Sequence, residues 1–474
     1  MADAAPTRMV DVLATLAAAE PDRVCLTIDA ESTTTSQLLS ASTARASALR
    51  AAGVEPGDIV AVRLANSAEH FATCFGAWMV GATPMPVPVD SRPAELTEAL
   101  NVASVRLVVD ESFTAPTDPT PLSPAPLPRY SKAMLSGGST GRSKVILAVN
   151  PPVFDVSVDL FHTHLCHTML VCGPLYHSTP WTTSYEGLLH GKHVVMMKRF
   201  EARQAVDAIV AHRVEWMFLV PTMMSRFTRI PDAELKQSLR GVKRLFHTAA
   251  PCPRWLKERW FDLIGPDAVY EIFGNTEVTA GTLISGSQWL KHPGSVGLPW
   301  VGELRIADKN GEDLPPGTIG DIYCRPTSAK VPFEYLGDYQ RVVLPGGWEW
   351  FGDMGYMDGD GYLYLVDRRK DLIITGGSNV YPAEVEGVIC RHPAVLDAAV
   401  FGEDDSDLGK RVAALVQVET DLLQTDLDAF VQGELTRYKC PRHYYFTREQ
   451  IRNEAGKIRR SELAGRVHDD GPAE

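Results

Sequence analysis

Nowhere in its 474 residues does the sequence hold 18 uninterrupted apolar residues, so a membrane-spanning helix is not expected. It has no C-x-x-C pair either. The eight cysteines, at 25, 74, 166, 172, 252, 324, 390 and 440, are scattered, which argues against a zinc knuckle or disulfide framework and for reduced core thiols. Positive charge is scarce: 46 Lys+Arg stand against 59 Asp+Glu, a formal balance of −13. The only dense basic cluster near the C-terminus is Lys457-Ile458-Arg459-Arg460, so neither nucleic acid nor an anionic membrane is an expected partner. The stretch Met1 to Arg8 leads into no long apolar run and carries no targeting signal, and a cytoplasmic location is expected. No internal repeat is visible. What remains is an ordinary globular mix, 45% hydrophobic and 22% charged, long enough for two to four units at about 150 residues each.

The periodicity alternates. Helical spacing over Ser36–Ala52 ends at Gly53 and a Glu55-Pro56-Gly57-Asp58 turn, a strand follows over Asp58–Leu64, a helix over Glu69–Val80, and a short apolar run over Met85–Val89. That order predicts α/β layers with parallel strands. Phe113–Tyr130 carries six prolines and is a connector. Strands are expected at Val145–Val149, Met169–Cys172 and Val214–Val220, and a small β subdomain over Gly294–Val366. After Lys370 a fresh set begins: a helix over Pro382–Arg391, strands near Leu396–Phe401 and Val412–Val418, and a helix over Asp426–Tyr438. The expected fold class is α/β, with a large N-terminal domain (1–369) of layered α/β subdomains plus a small β subdomain. A small, mobile α+β C-terminal domain (370–474) follows a hinge near Lys370.

Five elements carry chemistry. Ser136-Gly137-Gly138-Ser139-Thr140-Gly141-Arg142-Ser143-Lys144-Val145 packs three glycines, four hydroxyls and two cations into ten positions. Such a loop can converge N–H groups on phosphate oxygens while Lys144 adds charge, although it is not a Walker loop and a solvated turn has the same composition. In Phe273-Gly274-Asn275-Thr276-Glu277 a ring suited to stacking on a base precedes a hydroxyl and a carboxylate suited to Mg²⁺. Trp350-Phe351-Gly352-Asp353 offers an acid that can accept from a ribose diol. Asp367-Arg368-Arg369-Lys370-Asp371 leads to Gly376-Gly377, and Gly456-Lys457 lies near the end. Singly, each reads as a loop or solvated charge run; in this order, coincidence explains them poorly.

With Gly173-Pro174-Leu175-Tyr176-His177 and Thr248-Ala249-Ala250-Pro251, the set resembles the adenylate-forming (ANL) superfamily of acyl-CoA synthetases, luciferases and peptide-synthetase adenylation domains, from about Thr34 to Leu463. The wording is similar to bacterial bile-acid, steroid and terpenoid acyl-CoA ligases, including those of platensimycin and platencin biosynthesis. The resemblance implies an acid–thiol ligase using ATP, Mg²⁺ and coenzyme A: a carboxylic acid is converted to an acyl-adenylate, and CoA then displaces AMP. By resemblance Lys457 bridges carboxylate and α-phosphate. Ser136, Gly137, Gly138, Ser139, Thr140, Gly141 and Lys144 hold the β and γ phosphates, and Thr276 the α-phosphate. Glu277 ligates magnesium. Asp353 and Arg368 fix the ribose; Ala249, Ala250 and Phe273 line the adenine slot, and Thr248, Gly274 and Asn275 join the nucleotide-binding set. Gly376 and Gly377 meet the thiol channel after the small domain turns about Lys370. His177, counted with Lys457, Glu277 and Thr276 among the catalytic residues, and Trp181 border the acyl pocket, with Phe246, Tyr185 and Trp300 softer candidates and a hydrogen-bonded core histidine the bland reading of His177.

The usual loop T-S-G-T-T-G-x-P-K-G is altered at Gly137, Ser143 and Val145, and loss of the proline loosens the loop. One alternative therefore is an enzyme that mainly thioesterifies a preformed adenylate; others are a non-catalytic nucleotide-binding protein, a peptide-synthetase adenylation domain, or a luciferase-like oxidase. The acyl group is unnamed by the sequence, with a large rigid hydrophobic acid preferred by analogy. Oligomeric state is open, a homodimer being one candidate.

Overall fold

The computed structural model describes residues 6–114, 124–136, 144–328, 330–337, 339–369, 371–376, 378–405, 408–453, 456–458, 460 and 463. Helix Thr35–Ala51 starts where Thr34 forms a capping box: its hydroxyl accepts from the Gln37 amide (3.2 Å) and the Gln37 side chain accepts from the Thr34 amide (2.9 Å). Helix Ala68–Met79 is capped by Ser67 and crosses the first so closely that a Cβ on Gly76 would stand 2.9 Å from the Ala46 nitrogen. Only glycine allows that approach.

Two sheets flank these helices. One joins parallel strands Thr83–Pro86, Ile59–Val62 and Leu107–Val109. Beside Thr83–Pro86 lies the antiparallel set Ala133–Ser136, Lys144–Ala148 and Phe333–Leu336. A common core of Ala61, Met85, Ala133, Val145 and Leu147 unites the two groups. The other sheet has nine strands; its centre, from Val269–Gly274 through Arg244–His247, Trp216–Leu219, Thr168–Val171 and His193–Met196 to Val24–Ile28, is parallel, and its edges are antiparallel. The largest core lies between, where Phe71, Phe75 and Trp78 pack on helix Ser178–Leu189. Fully burying each such ring contributes about 1.5–3 kcal/mol.

The expected β subdomain forms from Glu303–Ala307, Gly320–Arg325, Val342–Leu344, Trp348–Met357 and Leu363–Arg368, with two corrections. Leu298–Val301 pairs with the nine-stranded sheet, and Phe333–Leu336 pairs with Lys144–Ala148. Both are drawn away because an unsatisfied sheet edge awaits them. The C-terminal lobe has its own sheet, ordered Ser378–Val380, Ile373–Thr375, Gly409–Val418 and Val395–Asp405, with His443–Thr447 beside Gly409–Val418. Its core includes Val385, Ile389, Val400, Val416 and Leu427. The helix expected to reach Tyr438 spans Gln424–Gln432 and ends at Gly433; a 3₁₀ turn occupies Arg437–Lys439. Among the described residues no helix is long and apolar enough to cross a membrane.

Candidate active site

Backbone register builds one wall of the cleft. Asp353 and Arg368 are direct partners across Trp348–Met357 and Leu363–Arg368, and Arg368 Nε donates to Asp353 Oδ1 at 3.0 Å. The Asp353 charge holds the Arg368 guanidinium above its ordinary range. Glu277 is buried, and its Oε1 accepts from Tyr335 Oη at 2.5 Å. Burial, then the Glu277 charge, pushes the Tyr335 phenol up, so it stays a donor. Tyr335 and Tyr339 stack edge to face at 4.5 Å, and Lys144 Nζ lies 3.5 Å from the Tyr339 ring centroid and 5.4 Å from that of Tyr335. Lys144 is thus linked through the two tyrosine rings to Glu277.

Below them, Asn275 Oδ1 accepts from the Thr279 amide at 3.1 Å and its carbonyl from the Val278 amide at 3.2 Å, closing the turn that carries Thr276 and Glu277. Phe273 and Gly274 end the strand leading into it. Thr248 is buried; Ala249 and Ala250 follow on the strand end, Ala249 with φ of 80°. That left-handed geometry normally belongs to glycine and marks a backbone held against its preference.

Lys457 enters from the C-terminal lobe. Its amide donates to Asn453 Oδ1 (2.9 Å) and its carbonyl accepts from the Asn453 amide (3.0 Å). Gly456 packs on Val220 and Thr222 of the N-terminal lobe. Lys457 is an exposed residue. Desolvation and the Arg368 charge lower its proton affinity, and Glu277 and Asp353 oppose them. His177 feels the same ammonium: burial first, then Lys457, holds its imidazole down to about 3, so it is neutral at neutral pH. Among the described residues, the buried His177 Nε2 has no hydrogen-bond partner.

Lys457, Glu277, Asp353, Arg368 and His177 therefore share one electrostatic neighbourhood. Gly376 does not join it. With φ of 52°, it turns between Ile373–Thr375 and Ser378–Val380, its amide donating to the Leu408 carbonyl at 3.0 Å. Gly137, Gly138, Ser139, Thr140, Gly141, Lys370 and Gly377 lie outside the described residues; Ser136 ends the strand Ala133–Ser136. Trp181 and Tyr185, expected at the acyl pocket, stack on each other at 4.1 Å within the helical layer, 3% and 1% exposed, among Phe71, Phe75 and Trp78. Their apolar area is taken up by core packing. Phe246 stands on the opposite side, stacked between Tyr270 (5.1 Å) and Trp216 (5.5 Å), with Phe161 against it and Trp300 against Phe161.

Several residues escaped the sequence reading. Tyr335 and Tyr339 lack a motif of their own. Arg452 and Arg460, which flank Lys457, converge on buried Glu386: Arg460 donates to Glu386 Oε1 (2.6 Å) and Asp371 (2.9 Å), and Arg452 to Glu386 Oε2 (3.2 Å) and Asp397 (2.9 Å). Burial alone would raise the Glu386 carboxyl, but the two guanidiniums hold it below its usual range. Lys132 is buried too, donating to Ser178 Oγ (3.3 Å) and Thr182 Oγ1 (3.0 Å) with its ammonium 4.3 Å from the Trp181 ring centroid. With no acid among these contacts, burial lowers it to about 7.

The AMP-binding enzyme family matches residues 13–130 and 131–329, and the AMP-binding enzyme C-terminal domain matches residues 384–457. A feruloyl-CoA synthase of an Amycolatopsis species is 31% identical over 89% of this chain and 91% of its own length. A fatty acid–[acyl-carrier-protein] ligase of Streptomyces coeruleorubidus is 29% identical over 95% of each. Among solved structures, an o-succinylbenzoate CoA synthetase of Bacillus subtilis in complex with its acyl-adenylate intermediate shares the fold with a TM-score of 0.81 at 24% identity, covering 97% of this chain and 98% of that one. By that family match and the 31% identity to the feruloyl-CoA synthase, the chain belongs to the AMP-binding enzyme family.

Proposed function

We propose that the chain is an AMP-forming acid–thiol ligase: it joins a carboxylic acid to the α-phosphate of ATP, releasing pyrophosphate, and passes the acyl group to the thiol of CoA, releasing AMP. The convergence of Lys457 with Glu277, Asp353, Arg368 and His177 carries the reading. A carboxylate and a triphosphate repel each other, and a fixed ammonium between them offsets that repulsion where charge accumulates. Asp353 suits two ribose hydroxyls, with Arg368 orienting it. Glu277 uses one oxygen on Tyr335, and its other oxygen fits a hard divalent cation. Magnesium bound there would neutralise phosphate charge. Neutral His177 can border the reacting carboxylate without competing for it as a cation. The lobe following Lys370 turns between the half-reactions, withdrawing Lys457 and presenting Gly376 and Gly377.

For the acyl group, the resemblance supports a rigid hydrophobic acid, polycyclic or terpenoid-like; Phe246, Trp216 and Phe161 are packed into the core as Trp181 and Tyr185 are. Aryl and fatty acids follow, as the feruloyl and fatty-acid relatives suggest for their own reactions. A panel of such acids with ATP and CoA, read by mass, should yield acyl-AMP and acyl-CoA. The altered loop at Gly137, Ser143 and Val145 favours one rival, an enzyme that only thioesterifies. Pyrophosphate release at a normal rate removes that rival; release from no acid, with CoA capture of a synthetic acyl-adenylate intact, establishes it. Failure of both half-reactions overturns the ligase reading.

A further inference from the structure

The segment Asp155–Cys166 folds back over helix Ser178–Leu189 far along the chain from the cleft motifs. There Asp159 meets Glu186 and, one helical turn later, His190, with one ligand atom from each lying within 4.8 Å of the others. We propose that Asp159, Glu186 and His190 form a divalent-metal site, matched to Zn²⁺, that fastens this segment to the helix.

Three observations converge. Glu186 is 6% exposed, yet among the described residues no cation pairs with it; one oxygen accepts from the Leu160 amide at 3.0 Å. Asp159 faces it as a second carboxylate, already oriented by the Thr163 amide (2.7 Å), the His164 amide (2.8 Å) and His164 Nδ1 (2.5 Å). His190 has Nδ1 against Thr163 Oγ1 at 3.2 Å, while among the described residues its buried Nε2 has no hydrogen-bond partner. An imidazole anchored through one nitrogen and able to offer the other has the arrangement of a metal ligand.

Two carboxylates and one imidazole suit Zn²⁺ better than Mg²⁺, which prefers all-oxygen ligands and retains its waters. Modest side-chain rotation brings three ligands to a tetrahedral ion, and water takes the fourth position. The tie has a structural purpose: the segment carries Phe161 and His162, whose rings meet Phe246 at 5.7 Å each, so the ion would hold these rings in place. It is a site separate from Glu277, and it stands whether or not the ligase reading does.

The test uses the full chain, stripped with chelator, given ZnCl₂ or MgCl₂, desalted, and measured for bound metal and melting temperature. We expect one zinc retained per chain, a higher melting temperature with ZnCl₂ and none of this with MgCl₂. Glu186→Gln and His190→Gln should each weaken zinc binding roughly tenfold or more. Should Glu186→Gln fail to fold, His190→Gln decides, since His190 is only partly buried. No zinc retained by the wild type, or zinc retained equally by the folded variants and so held by thiols elsewhere, overturns the proposal in favour of a proton shared between Asp159 and Glu186.

Discussion

Asp353 and Arg368 meet because their strands are paired in register, so the backbone would bring them together whatever the surrounding charges. Lys457 reaches the same cleft differently: its loop is held by Arg452 and Arg460 on Glu386, a buried ionic network in a separate lobe. The first wall resists charge perturbation, while the second depends on it. The C-terminal lobe has its own sheet, so the Lys457 loop is stiffened from within that lobe.

The sharpest way to break this contrast is Glu386→Gln, which leaves two guanidiniums without their shared charge. Breaking a buried pair costs about 3–5 kcal/mol, and the loss should appear as an early melting transition of the C-terminal lobe by calorimetry. Because the Glu386 carboxyl is held below its unfolded value, its contribution is present above the unfolded carboxylate pKa and lost as pH falls through the folded one. The variant should therefore lose acid sensitivity along with stability. Unchanged melting would mean the network does not order the loop.

Lys457→Ala tests the chemistry apart from the scaffold. Removing one preorganised charge commonly costs about 10²–10³ in rate. Acid-dependent pyrophosphate release should fall by that factor, with CoA capture of a synthetic acyl-adenylate and the melting temperature nearly unchanged. Equal loss in both half-reactions would contradict a lysine used in only the first.

Two buried lysines sharpen the comparison inside the N-terminal lobe. Lys257 is paired with Glu271, whereas Lys132 has hydroxyls and a ring. Between about 7, its folded value, and the ordinary 10.5, Lys132 is protonated only in the unfolded chain. The unfolded state binds more protons there, so this lysine makes stability rise with pH, by about 1.4 kcal/mol per unit. Lys132→Met should flatten that alkaline rise and stabilise the fold near neutrality, by about 1–4 kcal/mol. Denaturant midpoints from pH 6 to 10 check it; an unaltered slope would reject the assignment. Tyr335→Phe has a smaller reach. Leaving the buried Glu277 oxygen without its donor costs about 1–3 kcal/mol, read as a lower melting temperature, and AMP affinity should hold because Asp353 and Arg368 are untouched.

The register-built wall was the more legible in sequence. Glycine runs, the F-G-N-T-E turn and the D-R-R-K-D cluster use local chain chemistry, and a layered α/β fold follows from alternating periods. What hid was long-range. Tyr335 reaches Glu277 because Phe333–Leu336 leaves the β subdomain for the strand Lys144–Ala148, a pairing no local pattern announces. The Glu386 network joins residues 371, 386, 397, 452 and 460, all looking like solvated charges. Trp181 and Tyr185 have the composition of a pocket and the burial of a core, and only packing partners separate the two.

Ala249 gives the smallest effect and the finest test of how the first wall is held. At φ of 80° its Cβ meets the steric penalty of the left-handed region, about 1–2 kcal/mol, in the strand-end turn assigned to adenine. Glycine removes that penalty but enlarges the unfolded ensemble, which takes back about 0.4–1 kcal/mol. Ala249→Gly should then raise stability by about 0.5–1 kcal/mol. AMP binding by calorimetry should weaken slightly, as a freer loop orders at greater entropic cost on contact. A fall in melting temperature would instead show that the exposed methyl group makes a contact worth more than its strain, and that this turn is held by its side chains, as the lysine loop is.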